Sequence, residues 1–321
     1  MAELLGSAPS GNASVSAKSR TYQDRSEPLA YPTAYETYCQ VLEPGGVLPV
    51  FEYAIRRTYQ DIQWPGGLPA ADSGPILLLG EGLVGSSSQA GAWIRVPQCR
   101  ADDGTRYAQI AMRPSQRPAP NALQSADGLR RRQSLVAMLI ETTNALRTKA
   151  GCIGDPIPIP APRTPPASVP ALPGSLCGTV LPASPAPLRY APAATWTESW
   201  SGFDDRLEDC LVVDNAPGTG SEAGARPLLR VQTYRGELAR LEISVIQEGD
   251  PAGTMHTTQL QGAQSTFYWG VCANGPVIYR VETATRADLP TAESLLTALI
   301  AANTSRDGCS PPGPDIRAGS T

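Results

Sequence analysis

Apolar positions recur at helical spacing in two short stretches of this chain and at strand spacing through most of the rest. In "SLVAMLI", Leu135, Met138 and Leu139 follow i, i+3, i+4; in "SLLTALI", Leu295, Ala298 and Leu299 do the same. The two heptapeptides share four of seven residues, and each runs through a polar stretch into a Gly-Cys pair, Gly151-Cys152 and Gly308-Cys309. The spacing predicts helices over about 129–149 and 289–303. Upstream, "AWIRVPQCRADDGTRYAQIAM" and "STFYWGVCANGPVIYRVET" alternate apolar and polar residues on either side of Asp103-Gly104 and Asn274-Gly275. Asp-Gly and Asn-Gly between alternating segments predict hairpins, because these residues tolerate positive φ. Still further back, "YETYCQVLEPGGVLPVFEYAI" and "LEDCLVVDNAPGTGSEAGARPLLRVQTY" each place a cysteine on a strand, then a Gly-rich connection and another strand.

The order is the same twice: cysteine strand, strand, variable segment, cysteine strand, hairpin, strand, helix, cysteine. Repetition at this scale predicts two copies of one small domain. The expected fold class is α+β, each copy an antiparallel sheet of four to five strands with one C-terminal helix on a face. The boundaries are an irregular N-terminal segment 1–29, a first repeat 30–152, a linker 153–176, a second repeat 177–309 and a tail 310–321. The linker, "IGDPIPIPAPRTPPASVPALPGS", is so rich in proline that it predicts an extended, semi-rigid spacer. At 321 residues the chain has room for about two such cores.

Charge excludes one class of partner. The net charge is −4, and the arginines are scattered apart from the run Arg130, Arg131, Arg132, so no basic surface announces nucleic acid. No uncharged apolar run approaches the roughly 18 residues that a bilayer needs, and the first residues lack a basic segment followed by an apolar one.

Seven cysteines then carry most of the remaining information. Cys39 and Cys99 are 60 residues apart, Cys210 and Cys272 are 62 apart, and each pair falls at matching places in the two copies. The expectation is a disulfide within each pair, with Cys177 and Cys309 as a third bridge; the alternative is reduced, buried thiols. No CxxC and no Cys/His pair at ligand spacing points to a metal. Cys152 is the odd cysteine, because its counterpart scheme leads to Gly6. It is open to being free, to pairing with Cys177, or to bridging two molecules as a homodimer. Disulfides imply an oxidising compartment, so a signal or membrane segment is expected upstream of Met1 and the location is expected to be extracytoplasmic, secreted or tethered.

The stretch "CGTVLP", the strand cysteines and the helices ending in Gly-Cys give residues 30–309 a layout that resembles high-GC actinobacterial envelope proteins. In these, one membrane span precedes tandem small cysteine-containing extracytoplasmic domains. Two lysines against 24 arginines fit a high-GC source. The resemblance implies an envelope location and brings no activity with it.

Candidate chemistry is sparse. Gly80, Gly82 and Gly85 spell G-x-G-x-x-G after the apolar run Ile76–Leu79, with Asp102 and Asp103 at the distance of a ribose ligand. A dinucleotide site needs those glycines to open a helix, yet "SSSQAGAWIRV" follows, so the motif reads as a strand-edge turn or bulge. No cofactor is assigned. His256 is the sole histidine, and no G-x-S-x-G elbow accompanies it. The acids of "FDDRLEDC", Asp204, Asp205, Glu208 and Asp209, read as a solvated turn; with His256 they are the residues of the alternative, an extracytoplasmic hydrolase. Arg130, Arg131 and Arg132 near a helix start, where the dipole disfavours cations, form one candidate contact surface for an anionic component. Trp196 and Trp200, with Glu198 between them on one strand face, form another. The expected function is non-catalytic binding or scaffolding at the envelope, with an envelope protein or anionic surface component as partner.

Overall fold

A computed structural model of the chain describes residues 17–20, 35–42, 49–56, 76–80, 82–88, 90–97, 105–112, 126–152, 154–164, 167–172, 174–180, 195–204, 206–215, 226–243, 252–260, 263–283 and 289–309. The protein is α+β, built from antiparallel sheets and few helices. Its described residues cluster into two compact units, one holding 17–56, 78–112 and 126–164, the other 76–77 and 167–309.

The first unit contains β1 (Ala17–Arg20), β2 (Tyr35–Leu42), β3 (Pro49–Arg56), β4 (Leu77–Gly80), β5 (Leu83–Ser87), β6 (Gly91–Val96), β7 (Arg106–Met112) and helix α1 (Ala126–Lys149). Its sheet runs β1-β2-β3-β7-β6-β5-β4. Phe51, Tyr53, Ala92, Ile94, Ala108 and Ile110 present one face to Leu135, Val136, Leu139 and Ile140 of α1. That contact exists because strand side chains alternate while the helix places its apolar residues at i, i+3, i+4. Tyr53 also meets the stripe through its hydroxyl, 3.0 Å from Thr143 Oγ1.

The second unit contains β8 (Val169–Pro170), β9 (Ser175–Leu176), β10 (Thr179–Val180), β11 (Trp196–Asp204), β12 (Leu207–Asp214), β13 (Arg226–Arg235), α2 (Gly236–Ile243), β14 (Met255–Leu260), β15 (Ala263–Cys272), β16 (Gly275–Thr283) and α3 (Leu289–Asn303). Its main sheet runs β14-β15-β16-β13-β12-β11-β8, and β9 pairs with β10. Val212, Val231, Tyr279 and Val281 pack on Leu295, Leu296, Leu299 and Ile300 of α3. The hairpin at Asn274-Gly275 forms as its residues dictate, with Cys272 opposite Gly275 and Gly275 at φ +106. The hairpin expected at Asp103-Gly104 lies outside the described residues.

Each main sheet has seven strands, not four to five. The extra ones are short or weakly apolar edge strands, which alternation alone does not reveal. Helix α3 spans the expected residues, whereas α1 begins three residues early, at Ala126. Both Gly-Cys pairs close a helical turn in the same way. The Cys152 amide donates to Arg147 O, and the Cys309 amide to Thr304 O, while Gly151 and Gly308 take φ +72 and +64. Positive φ at the residue after the last turn favours glycine, and the cysteine that follows is thereby fixed in direction.

The disulfides pair differently from the expected scheme. Cys177 bonds Cys210 with Cα atoms 5.8 Å apart, and Cys272 bonds Cys309 at 4.0 Å. A Cys210–Cys272 bond is ruled out by strand order, because β13 and β16 lie between the two strands. Registers link Cys210 to Val231, Val281 and Thr266, six residues short of Cys272. The Cα atoms are thus separated by about 14 Å across the sheet and about 20 Å along it, against roughly 7 Å for bridgeable Cα atoms. Cys39 is on β2, which β3 and β7 separate from β6; Cys99, and with it the Cys39–Cys99 pairing, lies outside the described residues. Cys152 is itself disulfide-bonded, so it is not the odd thiol and is not free to join two molecules. Bonds of this kind persist in an oxidising, extracytoplasmic environment.

The proline-rich segment is no free spacer over its first part. Residues 154–164 lie along α1. Asn144 donates from Nδ2 to Ile157 O and accepts from the Ile157 amide, both at 2.9 Å; Arg147 donates to Asp155 O; and Ile157 is buried in the first core. Proline removes amide donors but leaves every carbonyl, so side chains of α1 supply the hydrogen bonds that the strap cannot make to itself.

Candidate functional site

The residues singled out by sequence separate sharply. Trp196 is buried in the second core and Trp200, half-buried, packs against it, so the two do not form an exposed pair. Glu198, on the same strand face, is buried and accepts the Cys177 amide at 2.9 Å. Burial raises its carboxyl above the ordinary range, against the lowering effect of hydrogen bonds from Cys177 and Trp200.

The acidic cluster does not act as one solvated turn, because alternation sends its members to opposite faces. Asp209 is fully buried and takes Arg230 Nε and Nη2 at 2.6 and 2.9 Å. Glu208, one residue earlier, meets Arg235 at 3.3 Å and Arg306 at 3.1 Å on the α3 side of the sheet. Asp204 is on β11, and Asp205 lies outside the described residues. His256 sits opposite Phe267 on the neighbouring strand and stacks on its ring at 5.4 Å. Gly80 and Gly82, at φ +80 and +75, turn the chain from β4 to β5, while Gly85 within β5 lies so close to Trp93 O that a Cβ would stand 2.3 Å away. Among the described residues, no group of three or more His, Cys, Asp or Glu could hold a metal ion, and no helix is long and apolar enough to cross a membrane.

The arginine run also splits. Arg130 is exposed and pairs with Asp127 in the preceding turn, Arg131 is half-buried, and Arg132 is buried at 6% exposure. Helical spacing explains this: Arg132 lies three and four residues before Leu135 and Val136, on the stripe that faces the sheet. Its Nε donates to Ser87 Oγ at 2.8 Å and its Nη1 to Arg163 O at 2.7 Å.

Arg132 lines a cleft of about 70 Å³ between α1, the end of β4 and the proline strap. Leu79, Leu129, Val136 and Ile159 form its apolar side, and Gln133, Arg163 and Thr164 join Arg132 on the polar side. The Arg163 guanidinium lies directly on Gly80, where a Cβ would be 2.6 Å from Nη2. Burial, and then the charge of Arg163, lower Arg132 to about 10, still protonated at neutral pH. The arrangement is a donor-rich, cationic recess with apolar walls.

No protein-family model and no curated protein matches the chain. Two solved structures give faint similarity. DynU16, from the dynemicin biosynthetic locus, is 11% identical over 80% of this chain and 79% of its own, at a TM-score of 0.15. The di-domain ARO/CYC StfQ from the steffimycin biosynthetic pathway is 11% identical over 91% and 83%, at 0.12. At such scores neither carries a structural or functional argument.

Sequence reasoning treated Arg130–Arg132 as one surface and missed Arg163 altogether. The signal for Arg132 was present, since its position falls on the apolar stripe of the predicted helix. Arg163 carried none, because the docking of the strap is a tertiary event.

Proposed function

We propose that the protein is a non-catalytic extracytoplasmic binding or scaffolding component of an actinobacterial cell envelope, built from two copies of one domain and secreted or tethered by a segment outside this chain. The observation that carries the binding reading is the Arg132–Arg163 cleft, whose polar side offers cations, an amide and a hydroxyl. Such a set holds an anionic group in place; it lacks the acid and base pair that hydrolysis needs. The residues of the hydrolase alternative support the same reading by their dispersal, with Asp209 neutralised by Arg230 and Glu208 on the opposite sheet face.

Duplication is supported by strand order. The run β1-β2-β3-β7-β6-β5 corresponds to β11-β12-β13-β16-β15-β14, and each is followed by a helix and a Gly-Cys cap. Under that correspondence Cys99 takes the place of Cys272, so Cys152 bonds Cys99 and the remaining thiol is Cys39. A digest of the unreduced protein should yield that linkage and one alkylated cysteine at position 39.

The function itself is tested by sedimenting the oxidised chain with a purified actinobacterial envelope fraction. Salt-sensitive co-sedimentation that Arg163→Gln loses is the expected result. Absence of binding, together with ester or glycoside turnover abolished by His256→Ala, overturns it in favour of the hydrolase.

A further inference from the structure

The cleft is more specific than a basic patch. A guanidinium has five N–H donors in a fixed fork, and Arg132 directs two of its nitrogens to neutral acceptors, Ser87 Oγ and Arg163 O. Its Nη2 has no protein acceptor among the described residues, and no carboxylate there offsets its charge. Buried cations are ordinarily paired, since an unpaired one loses hydration without compensation. A second guanidinium, Arg163, lines the same recess and raises the positive charge further. Two guanidiniums, one buried and one exposed, with no carboxylate partner among the described residues, in a recess large enough for about two waters, call for one compact anion of charge near −2.

We infer that the Arg132–Arg163 cleft of the first unit binds the phosphate group of a phosphate monoester, with the ester substituent directed along Leu79, Val136 and Ile159. A monoester above its second pKa of about 6 carries two negative charges and three acceptor oxygens, which matches two guanidiniums; a carboxylate brings only one charge. The substituent meets apolar walls, so the ligand is a phosphate with an apolar neighbour. Gly80 is part of the site, because any larger residue there would displace Arg163.

This inference rests on the binding reading above, and its test is separate from envelope sedimentation. Thermal unfolding of the intact, oxidised chain is measured in inorganic phosphate, in butyl phosphate, and in acetate or chloride at equal ionic strength. Phosphate and butyl phosphate should raise the melting temperature by about 3 °C at concentrations well above the dissociation constant, with acetate and chloride indistinguishable. The shift should shrink as the pH falls below about 6 and the phosphate loses a charge. Arg163→Gln, an exposed change that leaves the core alone, should weaken the apparent affinity at least about tenfold, the scale of one lost charge-assisted contact, and Arg132→Met should abolish the shift. Vesicles of phosphatidic acid in phosphatidylcholine identify the source: co-sedimentation lost in Arg163→Gln assigns a lipid headgroup, whereas a shift with soluble phosphates alone assigns a free ligand. Equal shifts in phosphate and acetate, no shift at all, or a shift that Arg163→Gln retains each overturn the inference. If Arg132→Met does not fold, Arg163→Gln decides. Envelope binding without any phosphate response removes this ligand class and leaves the binding reading standing.

Discussion

Arg132 of the first unit, on a helix, and Arg230 of the second, on a strand, are both buried arginines, and they differ in their partners. Arg230, fully enclosed, is gripped by both oxygens of Asp209; burial opposes its charge, but the Asp209 carboxylate and the more distant Glu282 outweigh that effect and raise it. Among the described residues Arg132 has a hydroxyl and a carbonyl as acceptors and no carboxylate, and its affinity for the proton falls. The same contrast runs through the neighbours. Arg280 pairs with Glu282 and Glu242, and Arg235 with Glu208 and Asp307, whereas Arg163 brings a second cation to Arg132. The second unit uses charge to complete its own interior. In the first, no carboxylate among the described residues answers Arg132 beside an open recess, which is the arrangement expected where a ligand completes the set.

The largest way to break this contrast is to make Arg230 resemble Arg132. Asp209→Asn leaves a fully buried cation without its counter-charge and should destabilise the second unit by about 3–5 kcal/mol, read from urea unfolding. A loss under about 1 kcal/mol would show that the pair is not enclosed as described. Next is Asn144→Ala, which removes both hydrogen bonds holding Ile157. It should lower stability by about 2 kcal/mol and speed amide exchange in residues 154–164, while leaving the second unit unchanged.

Arg132→Met should be much milder in anion-free buffer. Burial and the charge of Arg163 lower Arg132 to about 10, a charge penalty on the order of 3 kcal/mol, and the two charge-assisted hydrogen bonds lost, at about 1.5 kcal/mol each, offset it, so the net change should stay within about 1 kcal/mol. A clear loss of stability would mean that Arg132 is a structural residue. An effect of similar size concerns acid. Burial raises Asp307, but hydrogen bonds from Arg235 and Tyr279 and the charges of Arg235 and Arg306 hold it below its usual value. A carboxyl depressed by folding stabilises above its unfolded value of about 4 and loses that contribution as pH falls through the depressed value. Asp307→Asn should therefore flatten the acid limb of the second unit's stability by about 1 kcal/mol, with the first unit's profile unaltered.

Local rules were legible where local energy decides. Helix α3, the Asn274-Gly275 hairpin and the two Gly-Cys caps follow from spacing and from residues that tolerate positive φ. Strand order was not legible, and the cysteine pairing depended on it: equal separations of 60 and 62 residues say nothing about which strands intervene. Alternation also misled at "FDDRLEDC", where polar residues read as exposed although Asp209 is enclosed with Arg230. Burial of an ion pair is paid for by a partner 21 residues away, outside any local window. The cleft was half legible, through Arg132 on its stripe, and half hidden, because the strap that brings Arg163 is fixed by side chains of α1.

The two bonds of the second unit also govern how it would yield to tension. Cys177–Cys210 and Cys272–Cys309 short-circuit 33 and 37 residues near its two ends, so about half of the contour between positions 177 and 309 is inextensible while the bonds are intact. A pull along the chain would reach only the stretch from Cys210 to Cys272, which could lengthen by about 200 Å at roughly 3.4 Å per residue before the staples bear the load. Reduction would release the hidden length, turning a short tether into one about twice as long.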